Sequence, residues 1–200
     1  SGLILMEENL FFEAEKVLEQ GLLLNSGNKF YYNLYGTSLY AQGKYTEAIK
    51  LFQQAISIDK FFASALANLA SAYAQFKEFN AAETYFLQAI LLDPTNAFYL
   101  KEYGKTLLFL GKYSEAIDKF SEALKYEKEP TMLYYLRGIA YIFDKNYANA
   151  LKDLDNYLST RSADIKAMEF YGVLLKEQGQ YQKAIEYLKK SNSDYSKRAL

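Results

Sequence analysis

Acid–base or nucleophilic chemistry in this chain would have to rest on carboxylates, lysines and tyrosines, because its 200 residues include neither histidine nor cysteine. Without imidazole or thiol, no disulfide, thiolate nucleophile or soft metal centre can be built. General acid–base work also loses its commonest agent. The remaining candidates do not assemble into a site. Gly104 and Gly111-Lys112 have the composition of a phosphate loop, but the glycines are too far apart for one. Serines are scattered with no base beside them. Carboxylates fall on exposed helix faces or at helix ends, with partners at helical spacing such as Glu115 and Lys119. The 20 tyrosines could stack on nucleic-acid bases, yet most recur at a fixed spacing that packing explains better. A net charge of −1 lacks the basic excess that binding a phosphate backbone requires. The residues therefore predict no catalytic residue, no metal, no cofactor and no nucleic-acid partner: the chain is not expected to be an enzyme.

The fixed spacing sets the architecture. Small residues stand at Gly36, Ala70, Gly104, Gly138 and Gly172, each 34 positions after the last. Ala14, Ala48, Ala82, Ala116, Ala150 and Ala184 keep the same step. So does a wholly aromatic series, Phe11, Tyr45, Phe79, Tyr113, Tyr147 and Tyr181. Leu18, Phe52, Phe86, Phe120, Leu154 and Leu188 form a fourth series, and Leu5, Leu39, Tyr73, Leu107, Tyr141 and Leu175 a fifth. Five series in phase without a slip make every period the same structural unit.

Within residues 29–62 the pattern is helical. Tyr32, Tyr35, Gly36 and Leu39 share one helix face, and Tyr45, Ala48, Phe52 and Ala55 mark a second. Between them a turn position reads Asn9, Gly43, Lys77, Gly111, Lys145 and Gly179. A residue that ends one helix and opens another often needs φ > 0, which suits Gly and then Asn; Lys77 and Lys145 are the uncomfortable cases. The second helix of each unit is expected to end near Asp59, Asp93-Pro94 or Glu127, and Pro94 and Pro130 prevent simple continuation. Gly36 and its equivalents should face the second helix of their own hairpin. Ala48 and its equivalents should let the first helix nest closely, with the aromatics filling the remaining volume.

The run Tyr32-x2-Tyr35-Gly36-x2-Leu39 followed by Ala48, Phe52 and Ala55 resembles the tetratricopeptide repeat. Residues 63–96 resemble it too, through Leu66, Leu69, Ala70, Tyr73, Ala82, Phe86, Ala89 and Pro94. The resemblance covers nearly the whole chain. It implies an all-α fold, a right-handed α-solenoid (superhelix) of helix-turn-helix repeats. A partial repeat at 1–28 would precede full repeats at 29–62, 63–96, 97–130, 131–164 and 165–198, forming one array. Hairpins of this kind bury their apolar faces against their neighbours. Leu3-Ile4-Leu5-Met6 and the stretch Tyr195–Leu200 resemble cut ends, which predicts a parent protein that continues in one or both directions, or an edge that stacks on another copy.

Two departures carry predictions. Arg137 replaces a large apolar residue and should be partly buried and paired with an acid such as Asp144 or Asp153, because an unpaired buried charge is costly. Tyr157 replaces the small residue found at Ala55, Ala89 and Ala123, and Ser159-Thr160-Arg161-Ser162 follows without the acid-Pro signal. Tyr157 should push the fifth and sixth units slightly apart, and a local irregularity in superhelical twist is expected there.

By the same resemblance, the leading helices line a concave groove. Its expected residues include Asn33 and Tyr40 in the second unit and Asn68 in the third, where Ser64, Ala67, Ser71 and Ala74 leave room for an inserted chain. Phe98, Lys101, Lys105, Leu108 and Phe109 follow in the fourth unit, and Met132, Tyr135, Ile139, Ile142 and Phe143 in the fifth. The sixth is charged. An exposed apolar stretch of this extent marks an interaction site, which predicts that the groove grips an apolar helix or extended peptide. The competing expectation is that a tightly curled superhelix lets these side chains bury one another, or that a further C-terminal part covers them. The Lys/Asn/Asn/Lys/Arg clamp of the subfamily that binds chaperone C-terminal carboxylates is poorly matched. On units two to four only Asn68 agrees, and on units four to six only Lys101 and Lys166.

The expected function is thus a non-catalytic protein–protein interaction scaffold or adaptor with a protein or peptide partner. The alternatives are the substrate-selecting arm of a larger enzyme or secretion and assembly complex, and a homo-oligomerising scaffold that self-associates through its terminal repeats. Residues 1–28 carry five glutamates against one lysine, while residues 165–200 are basic; this suits solvated helix faces or the steering of partners. No apolar run approaches the roughly 18–20 residues needed to span a bilayer, so no membrane insertion by this segment is expected. Absence of cysteine tilts toward a cytoplasmic setting, and an envelope-associated one is compatible if a signal or anchor has been removed.

Overall fold

The computed structural model describes residues 11–198, with side chains from 15 to 192. Leu3–Met6, Asn9, the side chains of Phe11 and Ala14, and the last residues, all singled out in the sequence, lie outside that range. The described residues are all helical: α1 (Phe11–Leu24), α2 (Lys29–Ala41), α3 (Tyr45–Ile58), α4 (Ala63–Gln75), α5 (Phe79–Leu92), α6 (Ala97–Phe109), α7 (Tyr113–Ala123), α8 (Thr131–Phe143), α9 (Tyr147–Thr160), α10 (Ile165–Glu177) and α11 (Tyr181–Arg198). Leading and trailing helices alternate, and every leading helix from α2 to α10 starts 34 residues after the one before it. The chain divides between Leu110 and Gly111 into two compact units. Unit 1 holds α1–α6 and unit 2 holds α7–α11.

The turns explain the strict period. Gly43 N–H donates to Tyr40 O at 2.9 Å and Lys44 N–H reaches back to Leu39 O at 2.9 Å. That pair of bonds closes the helix end and requires a left-handed residue between them. The same pair recurs around Lys77, Lys145 and Gly179. The central φ is +77° at Gly43 and +73° at Gly179, but also +60° at Lys77 and +62° at Lys145. The two lysines therefore adopt the conformation that their repeat dictates, at a cost of about 1–2 kcal/mol each.

The tight helix contacts form where expected. A Cβ on Gly36 would lie 2.6 Å from the ring of Phe52, and one on Gly172 would lie 2.8 Å from Leu188. At Gly138 the approach to Leu154 is looser, 3.3 Å. Ala48, Ala82, Ala116 and Ala150 are wholly buried, as are Phe86, Phe120 and Leu154. Truncating one of these buried rings should cost about 3–5 kcal/mol. The wholly aromatic series behaves differently. Tyr45, Phe79, Tyr113 and Tyr147 are only half-buried and Tyr181 is exposed. These rings reach the following repeat: Tyr45 meets Phe76 edge-on, and Phe79 stacks on Phe109. In unit 2, Tyr113 stacks on Phe143 in the same way. They clasp neighbours and leave the centre of each hairpin to the Phe52 series.

The two departures resolve in unit 2. Arg137 forms a two-pronged bond to Asp153, Nε to Oδ2 at 2.7 Å and Nη2 to Oδ1 at 2.8 Å, and its third nitrogen donates to Ser121 at 3.0 Å. It thereby ties α8 to both α7 and α9. Bonding to Asp153, against the opposing effect of burial, holds the guanidinium firmly protonated. Tyr157 is buried and donates to Asp164 Oδ2 at 2.8 Å. Helix α10 starts in phase at Ile165, while α9 approaches α10 more sparsely than α3 approaches α4.

Candidate protein-binding face

In unit 1 the leading helices α2, α4 and α6 lie side by side, since α4 packs beside both of the others. The sequence of α4, ASALANLASAYAQ, has no charged side chain and is mostly Ala and Ser. Short side chains leave space between its taller neighbours. Two hollows result, of about 550 Å³ and about 310 Å³. Both are of the size typical of ligand sites. The smaller is bordered by Thr37, Tyr40, Asn68 and Phe98. The larger reaches the fully buried Phe86 and is bordered by Phe79, Thr106 and Phe109. Ser71, Glu102 and Lys105 border both.

A polar network fixes the α2–α4 edge. Asn68 Nδ2 donates to Asn33 Oδ1 at 3.0 Å and to Thr37 Oγ1 at 3.2 Å, and Gln75 Nε2 donates to Tyr40 OH at 3.1 Å. Burial pushes the Tyr40 hydroxyl pKa upward. Lys105 Nζ lies 2.7 Å from Glu102 Oε2, one helical turn away. Lys101 Nζ sits 5.5 Å above the Phe98 ring. A second set of bonds runs between repeats. Tyr35 donates to Glu15 at 3.2 Å and Tyr103 to Glu83 at 3.0 Å. Burial, followed by the charge and hydrogen bond of Glu15, moves the Tyr35 pKa up to about 12. For Glu15 itself, burial works upward but is outweighed by bonds from Gln42, Lys44 and Tyr35, so its carboxyl lies below the usual range.

The expected groove residues thus fall into distinct situations. Asn33, Tyr40, Asn68, Phe98, Lys105 and Phe109 come together around the two hollows, with Lys101 beside Phe98. Leu108 is half-buried and borders neither. In unit 2, Met132 and Phe143 are exposed, although Phe143 leans on Tyr113. Tyr135 stands 4.9 Å from the Tyr157 ring and packs with Ala167 and Met168. Ile142 packs on Ala150, Leu154 and Leu174. Ile139 is half-buried. Tyr135 and Ile142 are partly buried and engaged in packing against residues of α9 and α10. Phe79, Glu102 and Thr106 were not among the expected groove residues. Phe79 belongs to a visible 34-residue series, but only the stacking partner shows that this series faces a hollow.

Among the described residues no cluster of carboxylates could hold a metal ion, and no helix is long and apolar enough to cross a membrane. Profiles for the tetratricopeptide repeat match residues 36–76, 63–96 together with 165–193, and 104–165. The chain belongs to the tetratricopeptide-repeat family. Among known members, it is similar to the BBSome complex member BBS4 of Bos taurus, with 26% identity over 148 residues, covering 74% of this chain and 28% of that protein. It is also similar to a DnaJ homolog subfamily C member 7 homolog of Schizosaccharomyces pombe, with 28% identity over 166 residues, covering 81% of this chain and 30% of the relative. The chain thus spans less than a third of the length of these relatives. The crystal structure of YrrB, a TPR protein with an unusual peptide-binding site, matches with a TM-score of 0.77 at 17% identity, covering 88% of this tetratricopeptide-repeat chain and 91% of YrrB. At that identity the likeness establishes the shared helical fold. Together the repeats and these neighbours support a protein-interaction scaffold.

Proposed function

We propose that this tetratricopeptide-repeat chain is a non-catalytic scaffold that receives a segment of a partner protein on the α2–α4–α6 face of unit 1. The observation that carries this reading is the pair of hollows sharing Ser71, Glu102 and Lys105. Concave surface sites of this size leave room for an inserted side chain. Exposed Phe98 and Phe109 border the hollows, and aromatic rings of this kind anchor protein interfaces. YrrB supports the reading by analogy of fold. The exposed Met132 and Phe143 offer unit 2 a smaller apolar surface.

Selection of a random peptide library on the intact chain tests the proposal. Enriched peptides should bind with their affinity cut about thirtyfold or more by Phe109→Ala, with helicity unchanged. Peptides whose binding ignores both Phe109→Ala and Phe98→Ala would place the working surface elsewhere.

A further inference from the structure

The chemistry of the two hollows narrows the partner. The hydroxyl protons of Ser71, Thr37 and Thr106 are engaged by their own helices, while Tyr40 at the edge of the smaller hollow accepts from Gln75. Ser71 Oγ donates to Ala67 O at 3.0 Å, and Thr106 Oγ1 donates to Glu102 O at 3.1 Å. Phe86 supplies an apolar base to the larger hollow, and Phe109, 71% exposed, forms its rim while stacked on Phe79 at 5.0 Å. Such a lining suits a ring or a large aliphatic side chain and gives a buried carboxylate no donor at depth. Glu102 and Lys105 stand between the hollows and neutralise each other. Two cations are left over. Lys77 borders the larger hollow, and Lys101 lies over Phe98 at the edge of the smaller one. Neither has an acidic partner among the described residues. The face is therefore apolar in its depths and positive at its margins, and α2 and α4 contribute no acidic side chain to balance it.

We propose that the partner segment is acidic and aromatic: two aromatic or large aliphatic side chains enter the two hollows, and flanking carboxylates meet Lys77 and Lys101. This rests on the scaffold reading above and specifies its ligand. Charge at such a margin acts on specificity and encounter rate, while the apolar anchors supply most of the affinity. The hydroxyl oxygens of Ser71 and Thr106 remain as acceptors for backbone N–H groups of the segment.

Fluorescence anisotropy on the intact chain with three labelled peptides tests this. The first peptide carries two phenylalanines a few residues apart with aspartates at both ends. The second has lysines in place of the aspartates, and the third has alanines in place of the phenylalanines. The first should bind about tenfold more tightly than either of the others at low salt. The double variant Lys77→Gly, Lys101→Gln should lose the preference for aspartate over lysine and keep that for phenylalanine over alanine. Phe109→Ala should do the reverse. Lys77→Gly also relieves a left-handed residue, so misfolding would not explain a loss. Equal binding of all three peptides, or tighter binding of the lysine peptide, would overturn the inference and leave the scaffold reading standing. Binding of none would overturn both. Light scattering run in parallel would reveal a second copy filling the face, as a mass that rises with concentration while peptide binding falls, and that result too would overturn the inference.

Discussion

The leading helices of the two units use equivalent positions for opposite purposes. In unit 1, α4 carries Ala67, Ser71 and Ala74, and the space beside them stays open as two hollows. In unit 2, α8 carries Tyr135, Ile139 and Ile142 at the equivalent or adjacent turns, and Tyr135 and Ile142 are drawn into packing with α9 and α10. At the repeat position of Tyr35, Leu69, Tyr103, Arg137 and Tyr171 the split runs between residue types and not between the units, since Tyr171 of unit 2 donates to Asp155 on the preceding trailing helix at 3.2 Å. The unit 1 tyrosines there bond to the preceding trailing helix in the same way. Arg137 is instead clamped to Asp153, which is only 2% exposed. A 34-residue repeat specifies where the helices go, and side-chain size decides whether a given face stays open or is filled.

Four experiments probe these differences. The largest effect is expected in unit 2. Arg137→Leu strands the buried Asp153 carboxylate and should destabilise the chain by about 3–5 kcal/mol. Adding Asp153→Leu should return much of that loss. Urea unfolding of the single and double variants would measure it, and additive losses would deny that the pair is coupled. In unit 1 the equivalent tyrosine is a milder fixture: Tyr35→Phe should cost about 0.5–1.5 kcal/mol.

Next comes the hairpin contact. Gly36→Ala drives a methyl into the Phe52 ring and should cost about 1–3 kcal/mol. At Gly138, where Leu154 stands farther off, the same change should cost less. Gly172, nearly as tight against Leu188 as Gly36 is against Phe52, should behave like Gly36, and equal losses at Gly36 and Gly138 would show that the closer approach carries no extra cost. The turn lysines come third. Lys77→Gly and Lys145→Gly, one in each unit, should each stabilise by about 1 kcal/mol, read as a rise in melting temperature. Their similar φ angles predict similar gains, so a one-sided gain would mean that one turn is held by something other than its backbone bonds.

The smallest effect is a titration. Burial first, and then a neighbouring carboxylate, moves Tyr35 in unit 1 and Tyr157 and Tyr171 in unit 2 to about 12, above the usual 10.0. The folded-state pKa is raised, so the stability these groups contribute is complete below about pH 10 and falls as pH rises toward 12. Phenolate absorbance should show an early class of tyrosines and a late class that ionises as helicity is lost. A single early step with helicity intact would remove the proposed tyrosine–carboxylate bonds.

Much of this fold is legible without coordinates, for a reason visible in the turns. The positions of Gly43 and Gly179 announce a left-handed residue, and Lys77 and Lys145 adopt the same conformation because five in-phase series leave them no alternative. Gly36 announces a close approach because nothing larger fits against Phe52. The pairing of Arg137 follows from the cost of an isolated buried charge, and the sequence narrows its partner to two acids. The candidate face was legible only in part. Periodicity places Asn68, Phe98, Lys105 and Phe109 on one side of the leading helices. It places Tyr135 and Ile142 there as well, and those two pack inward.

Helix phase, turn conformation and the tight hairpin contacts follow from the order of residues, because each depends on positions within one repeat and is reinforced by copies 34 positions away. The tertiary structure alone decided which leading-helix faces stay open. That outcome depends on side-chain volumes from two or three adjacent helices at once: short Ser71 and Ala74 beside Phe79 and Phe109 leave a hollow, whereas Tyr135 beside Tyr157 fills one.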